Sequence, residues 1–256
     1  KTFTIQVNEL PTVQPTVTDE EVCAEQTTNL GSGTNQTIKE LFTNTTGTAS
    51  SGGNVFNIYA YNNITITDFK MHILSGTQAE VYYNPGGYGN VDLTSSVGWT
   101  KLGSTVNITP AGSGNLTDIP TTANLTIPAG NTYGIMIVCN GNNYYNVGTA
   151  VGLIEKSNSD LYITEGHAGT GFGGTFNFTF SPRVFNGTVV YRTNYTSYLW
   201  APAATLSSAT VASPVSTPIS STTYTLTATD GNGCTGSGTV KVYRYPNPTV
   251  NTVTAT

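Results

Sequence analysis

No stretch of this chain keeps apolar residues at the i, i+3, i+4, i+7 spacing of an amphipathic helix. Between Thr37 and Tyr191 the apolar residues instead alternate, or run together, over roughly four to eight positions at a time. Each run is closed by Gly, Pro or Asn. NVFNIYAY, ITITDFKMHIL, AEVYYN, ANLTIPAG, TYGIMIVC and RVFNGTVVY are examples. Such runs read as strands, because side chains alternate across a pleated ribbon and because Gly and Asn accept the backbone angles of turns. Only TIKELF, residues 37–42, has a composition suited to a helical turn. Strands at this spacing predict a jelly-roll-like sandwich over residues 35–193.

The flanks are shorter. Residues 16–34 hold two strand-like runs and residues 194–246 about five. The latter include a hairpin, YTLTATDGNGCTGSGTVKVY, whose DGNG turn suits the left-handed region. Two strands alone do not make a stable sheet, so the early pair needs the late group. PTVTDEEVCAEQTTNL resembles the opening strands of an immunoglobulin-like sandwich, and SYLWAPAATL with TTYTLTATDGNGC its closing strands. The expected fold class is therefore all-β: an immunoglobulin-like sandwich split between 16–34 and 194–246, with the jelly-roll-like sandwich inserted in it. Trp200, in YLWAP, is expected between the two sheets of the split domain.

Composition narrows the partners. Charged residues make up 9% of the chain, against about a quarter in ordinary proteins. The formal net charge is -5, and the nine Lys and Arg are dispersed, so no basic stripe is available for nucleic acid. No apolar run approaches the length of a membrane span. Lys1 opens directly on the strand-like TFTIQV, so the chain reads as a processed or excised piece. Of three cysteines, one pair plus a buried free thiol at Cys139 is the simplest accounting.

The two ends of the chain echo each other at an offset of 237 residues. Thr2 matches Thr239, Pro11 matches Pro248, Thr12 matches Thr249 and Val13 matches Val250, while Phe3 and Ile5 match Val240 and Val242. Residues 1–15 are thus expected to be the last strand and linker of a preceding module, and 247–256 the start of a following one.

TYTLTATDGNGC and EVCAEQTTNL are similar to the repeats of the giant gliding-motility adhesins of Bacteroidota, with their immunoglobulin-like and PKD-like modules. SGGNVFNIYAYNNITITDFKMHI, AEVYYNPGGYGN and LTIPAGNTYGIMI resemble a second module of the same secretome. The resemblance implies export by the type IX route and an extracellular, cell-surface location. It also implies that Cys23 and Cys234 pair, which an oxidising compartment would allow. Cys23 precedes the second strand and Cys234 follows the last hairpin turn. In a regular sandwich those places lie at opposite ends, so pairing of each with a neighbouring module stays open.

Other candidate sites follow from residue type. Asn158, Asp160 and Glu165 offer the hard oxygen ligands that Ca²⁺ takes, as do Asp19, Glu20 and Glu21 near a module boundary. Tyr83, Tyr88, Tyr144 and Tyr145 lie beside Asn-rich turns and are the candidates for stacking on a sugar. Adjacent tyrosines point to opposite faces of a strand, so one of each pair is expected in the core. His72 and His167 stand in no metal, nucleophile or phosphate-loop motif, and no catalytic role is expected. The resulting expectation is a structural or adhesive repeat whose partners are neighbouring repeats and a glycan or surface. An accessory carbohydrate-binding module of a secreted enzyme, or a subunit of a strand-exchange filament, are the alternatives.

Overall fold

The structure is a computed structural model and describes residues 10–33, 37–47 and 49–249. It is all-β, with two compact units: residues 1–37 with 195–256, and residues 38–194. We call them the split unit and the inserted unit. The expected strands over 1–10 and 247–256 fall largely outside the described residues. Among the described residues no helix is long and apolar enough to cross a membrane.

The split unit begins with β1 (Thr16–Val17), β2 (Glu21–Cys23) and β3 (Thr28–Gly31). The inserted unit follows with β4 (Lys39–Phe42), β5 (Ala49–Ala60), β6 (Ile64–Met71), β7 (Gln78–Pro85), β8 (Thr100–Lys101), β9 (Val106–Asn107) and β10 (Thr117–Ile119). It continues with β11 (Leu125–Ile127), β12 (Thr132–Val147), β13 (Ile154–Ser157), β14 (Leu161–Thr164), β15 (Gly166–Thr170), β16 (Asn177–Phe185) and β17 (Gly187–Thr193). The split unit then resumes with β18 (Tyr195–Ala201), β19 (Val215–Ser216), β20 (Thr222–Asp230) and β21 (Thr235–Tyr245).

In the split unit, a sheet of order β1-β3-β19 faces one of order β18-β20-β21-β2. Early strands therefore pair with late ones in both sheets. The chain changes sheet between Val17 and Glu21, so that β2 runs parallel to the end of β21. Period-2 alternation in β20 sends Tyr224, Leu226 and Ala228 inward, where they meet Trp200, Leu30, Val22 and Val242. The Trp200 indole N–H donates to the Val211 carbonyl (3.0 Å), which satisfies its one buried donor. The hairpin turn between β20 and β21 is held by Asp230, whose Oδ1 accepts from the amides of Asn232 and Cys234.

Entry into this unit is close-packed. A Cβ at Gly236 would collide with the carbonyl oxygen of Pro11, and one at Gly238 with that of Val13, so β21 needs glycine where the incoming chain covers it. The Tyr195 hydroxyl donates to the Thr12 carbonyl (2.7 Å), and burial pushes its phenol up to about 12.

The inserted unit packs a five-stranded sheet, β10-β6-β17-β4 with β11 also on β6, against a nine-stranded one built around β12, β5 and β7. Phe56, Ile58, Ile66, Phe69, Ile135, Ile137 and Phe185 fill the space between them. The TIKELF segment is a strand, not a helical turn: β4 pairs antiparallel with β17 and buries Leu41. Four residues are too few to define a period, and a non-local partner decided the outcome. The outer face of the larger sheet carries a second cluster, where Tyr82, Met136 and Val138 are covered by Tyr88, Trp99, Phe176 and Phe178.

Cys23, Cys139 and Cys234 are all free thiols. Cys139 is buried in β12, and burial pushes its thiol up. The Cys23–Cys234 bridge is not present within the unit, and strand geometry forbids it. Cys23 stands in register with Tyr245, the last residue of β21, whereas Cys234 precedes Thr235, the first. Eleven residues of strand at about 3.3 Å each put them about 36 Å apart. A disulfide needs about 6 Å between Cα atoms.

Candidate functional site

Three tyrosines converge on the outer face of the inserted unit's larger sheet. Tyr59 near the end of β5 and Tyr162 in β14 are directly opposed across the strand pair. Their rings stack with centroids 5.0 Å apart and planes 17° from parallel. Tyr61, in the turn that follows β5, sets its edge against Tyr59 (5.3 Å) and tilts towards Tyr162 (5.7 Å). The alternating neighbours Ile58, Ala60, Leu161 and Ile163 go into the core, which leaves the tyrosine face outside. Tyr61 is 47% exposed, and its two partners are half-buried. Burial, and then the nearness of the Tyr61 and Tyr59 hydroxyls, push the Tyr162 phenol up.

The platform is firmly mounted. The amides of Tyr61 and Asn62 both donate to the Asp160 carbonyl, at 2.7 and 3.3 Å. The Asn62 side chain donates to Asp160 Oδ1 (3.1 Å). Asp160 is 1% exposed and accepts on Oδ2 from Lys39 (3.1 Å) and from the Tyr191 hydroxyl (2.9 Å). Asp160 thus ties the Tyr61 turn to β4 through a buried ion pair and to β17 through a buried hydrogen bond. Planar, partly solvated rings held this rigidly can stack on the apolar face of a pyranose, with their hydroxyls available as hydrogen-bonding groups.

The residues singled out from sequence are placed differently. Tyr88 is 6% exposed, and its hydroxyl donates to the Glu165 carbonyl (3.0 Å). Tyr145 is equally buried, with the Arg183 guanidinium over its ring. Tyr83 is half-buried at the rim of the main core, stacked with Tyr133. These three do not offer an open stacking face, because the 86–99 segment folds back over the sheet and core packing claims the rest. Tyr144 is half-buried and lines a cleft of about 230 Å³ with Thr46, Ser113, Gly114 and His72. His72 is pushed down by burial, and its Nε2 accepts from the Gly114 amide (3.1 Å).

Asn158, Asp160 and Glu165 do not form one ligand set. Asp160 and Glu165 flank the two ends of β14, about 16 Å apart along an extended chain. The Asn158 side-chain oxygen accepts from the amides of Asp160 (2.9 Å) and Leu161 (3.0 Å), and its Nδ2 donates to Tyr191. Glu165 Oε2 accepts from the amides of Thr149 and Ala150. Among the described residues no group of three or more His, Cys, Asp or Glu is arranged to hold a metal ion.

Sequence reasoning missed Tyr59, Tyr61 and Tyr162. The two-residue spacing of Tyr59 and Tyr61 was a legible signal, since it sets both on one face. The pairing that brings Tyr162 to them is non-local and left no local mark. No protein-family model matches the chain, and no curated protein is similar to it.

Proposed function

We propose that this chain is a structural and adhesive unit of a large extracellular, cell-surface protein, in which split units follow one another and each inserted unit offers a contact surface. The observation that carries this reading is the path of the chain through the split unit. It enters beside the start of β21, where Pro11 and Val13 cover Gly236 and Gly238, and leaves beyond Tyr245 at the other end of the same strand. Entry and exit at opposite ends let copies succeed one another without doubling back. The recurrence of Pro11–Thr12 at Pro248–Thr249 supports the same arrangement. The likeness to Bacteroidota gliding-motility repeats supports type IX export and display at the cell surface.

The tyrosine platform supports a glycan as the contacted partner. It equally favours a second reading, an accessory carbohydrate-binding module of a secreted enzyme. Native gels cast with a soluble xyloglucan, a galactomannan or a mucin-type glycoprotein test the contact. The expected result is retardation in at least one gel, lost in the Tyr61→Ala/Tyr162→Ala double variant. Unchanged mobility in all three would contradict glycan contact. Binding of fluorescent chain to intact cells then separates adhesion from a free polysaccharide-binding role.

A further inference from the structure

We infer that Cys23 and Cys234 are the two halves of a disulfide between successive copies, Cys23 of one joined to Cys234 of the next; this rests on the tandem reading above. Both thiols are half-exposed, and about 36 Å of strand separates them within one copy. Cys23 lies in register with Tyr245, where the chain leaves the unit. Cys234 stands two residues before Gly236, where the chain enters. Pro11 covers Gly236 and Val13 covers Gly238, so the entering segment and β21 run alongside in the same direction.

Pro248 and Thr249 repeat Pro11 and Thr12. A following copy that begins in the same way lays Pro248 over its own Gly236. The same stagger, carried back two residues, sets its Cys234 beside Pro246. Cys23 of the first copy and Cys234 of the second then flank the adjacent residues Tyr245 and Pro246, each about one strand spacing, ~5 Å, away. Their separation is at most about 14 Å before any adjustment, two strand spacings plus the step from one residue to the next. Pro246–Thr249 belongs to no strand, so it can hinge to bring the sulfurs into bonding distance. In forming the bond each thiol loses its proton, and the pair gives up two electrons. A low-molecular-weight disulfide such as oxidised glutathione accepts them and leaves as two thiols.

The test is a tandem chain of two copies joined at the 237-residue offset. In it, Cys234→Ser in the first copy and Cys23→Ser in the second leave only the proposed partners, besides Cys139. After incubation with oxidised glutathione, non-reducing peptide mapping is expected to find one Cys23–Cys234 cross-link and no alkylatable thiol at either position. The mirror arrangement, with Cys234 kept in the first copy and Cys23 in the second, is expected to give none. A first arrangement that stays unbridged while Trp200 fluorescence reports folded units overturns the inference, as does equal bridging in both. Because the two copies are joined by design, that failure is distinct from failure of the tandem reading. The latter falls if the native surface protein proves to carry a single copy.

Discussion

The two units are made of the same material, short strands and Asn/Gly turns, but they solve chain closure differently. The inserted unit is one continuous segment with a large core drawn from both of its sheets. Its first strand, β4, pairs with its last, β17, with Lys39 opposite Tyr191. Its own fold therefore delivers its two ends side by side. The split unit has a smaller core, and in each of its sheets an early strand is paired with a late one. For that unit the whole insertion acts as a short loop once the inserted unit has folded. Before then it is a long loop whose closure opposes pairing. Autonomy in one unit and dependence in the other follow from topology alone.

The largest expected effect removes the early strands. Deleting residues 10–31 takes away β1, β2 and β3 and leaves β18, β20 and β21 without their facing sheet. The split unit is expected to be lost entirely, while residues 38–194 keep a cooperative thermal transition by circular dichroism. A single truncation in each core sharpens the contrast. Trp200→Ala and Phe69→Ala each cost about 3–5 kcal/mol. The smaller core is expected to unfold at that cost and the larger one to survive it, as read by urea titration.

Next is Asp160→Ala, which strands the Lys39 ammonium and the Tyr191 hydroxyl inside the inserted unit. Breaking a buried pair from one side costs about 3–5 kcal/mol. The urea midpoint of the inserted unit should fall accordingly, with that of the split unit unchanged.

A smaller, pH-dependent effect centres on Glu80. Burial raises this carboxyl, but Lys101 (2.7 Å), the Gly173 amide, Thr105 and the Tyr82 hydroxyl together hold it below its ordinary value. A carboxyl depressed on folding stabilises above its unfolded pKa of about 4.3, and that contribution fades as pH falls through the folded value. Glu80→Gln should therefore flatten the acid limb of the inserted unit's stability and leave the split unit's alone. The least effect on stability is expected from Tyr61→Ala, about 1 kcal/mol because the ring is about half exposed and only its contacts with Tyr59 and Tyr162 are lost, although the same change should abolish glycan retardation.

Much of the architecture was legible before the structure. Alternation marked β5, β7, β12 and β20, and DGNG marked the β20–β21 hairpin. The sequence boundaries fell at 34/35 and 193/194, and the units part at 37/38 and 194/195. What failed depended on distant partners. Lys39–Phe42 became a strand because β17 lay beside it. Tyr88 read as an aromatic beside a turn, yet its segment folds back onto Tyr82 and Met136. Asp160 and Glu165 read as near neighbours, but an extended strand sets them apart. The tyrosine platform was hidden because its stacking pair joins β5 to β14.

The chain's two tryptophans report on the two units separately, Trp99 in the inserted unit and Trp200 in the split one. Fluorescence unfolding of Trp99→Phe and Trp200→Phe variants, each with and without residues 10–31, tests the dependence of one unit on the chain's early strands directly. The account predicts that the deletion abolishes the Trp200 transition and leaves the Trp99 midpoint unmoved. A Trp200 transition that survives the deletion, or a Trp99 transition that disappears with it, would contradict it.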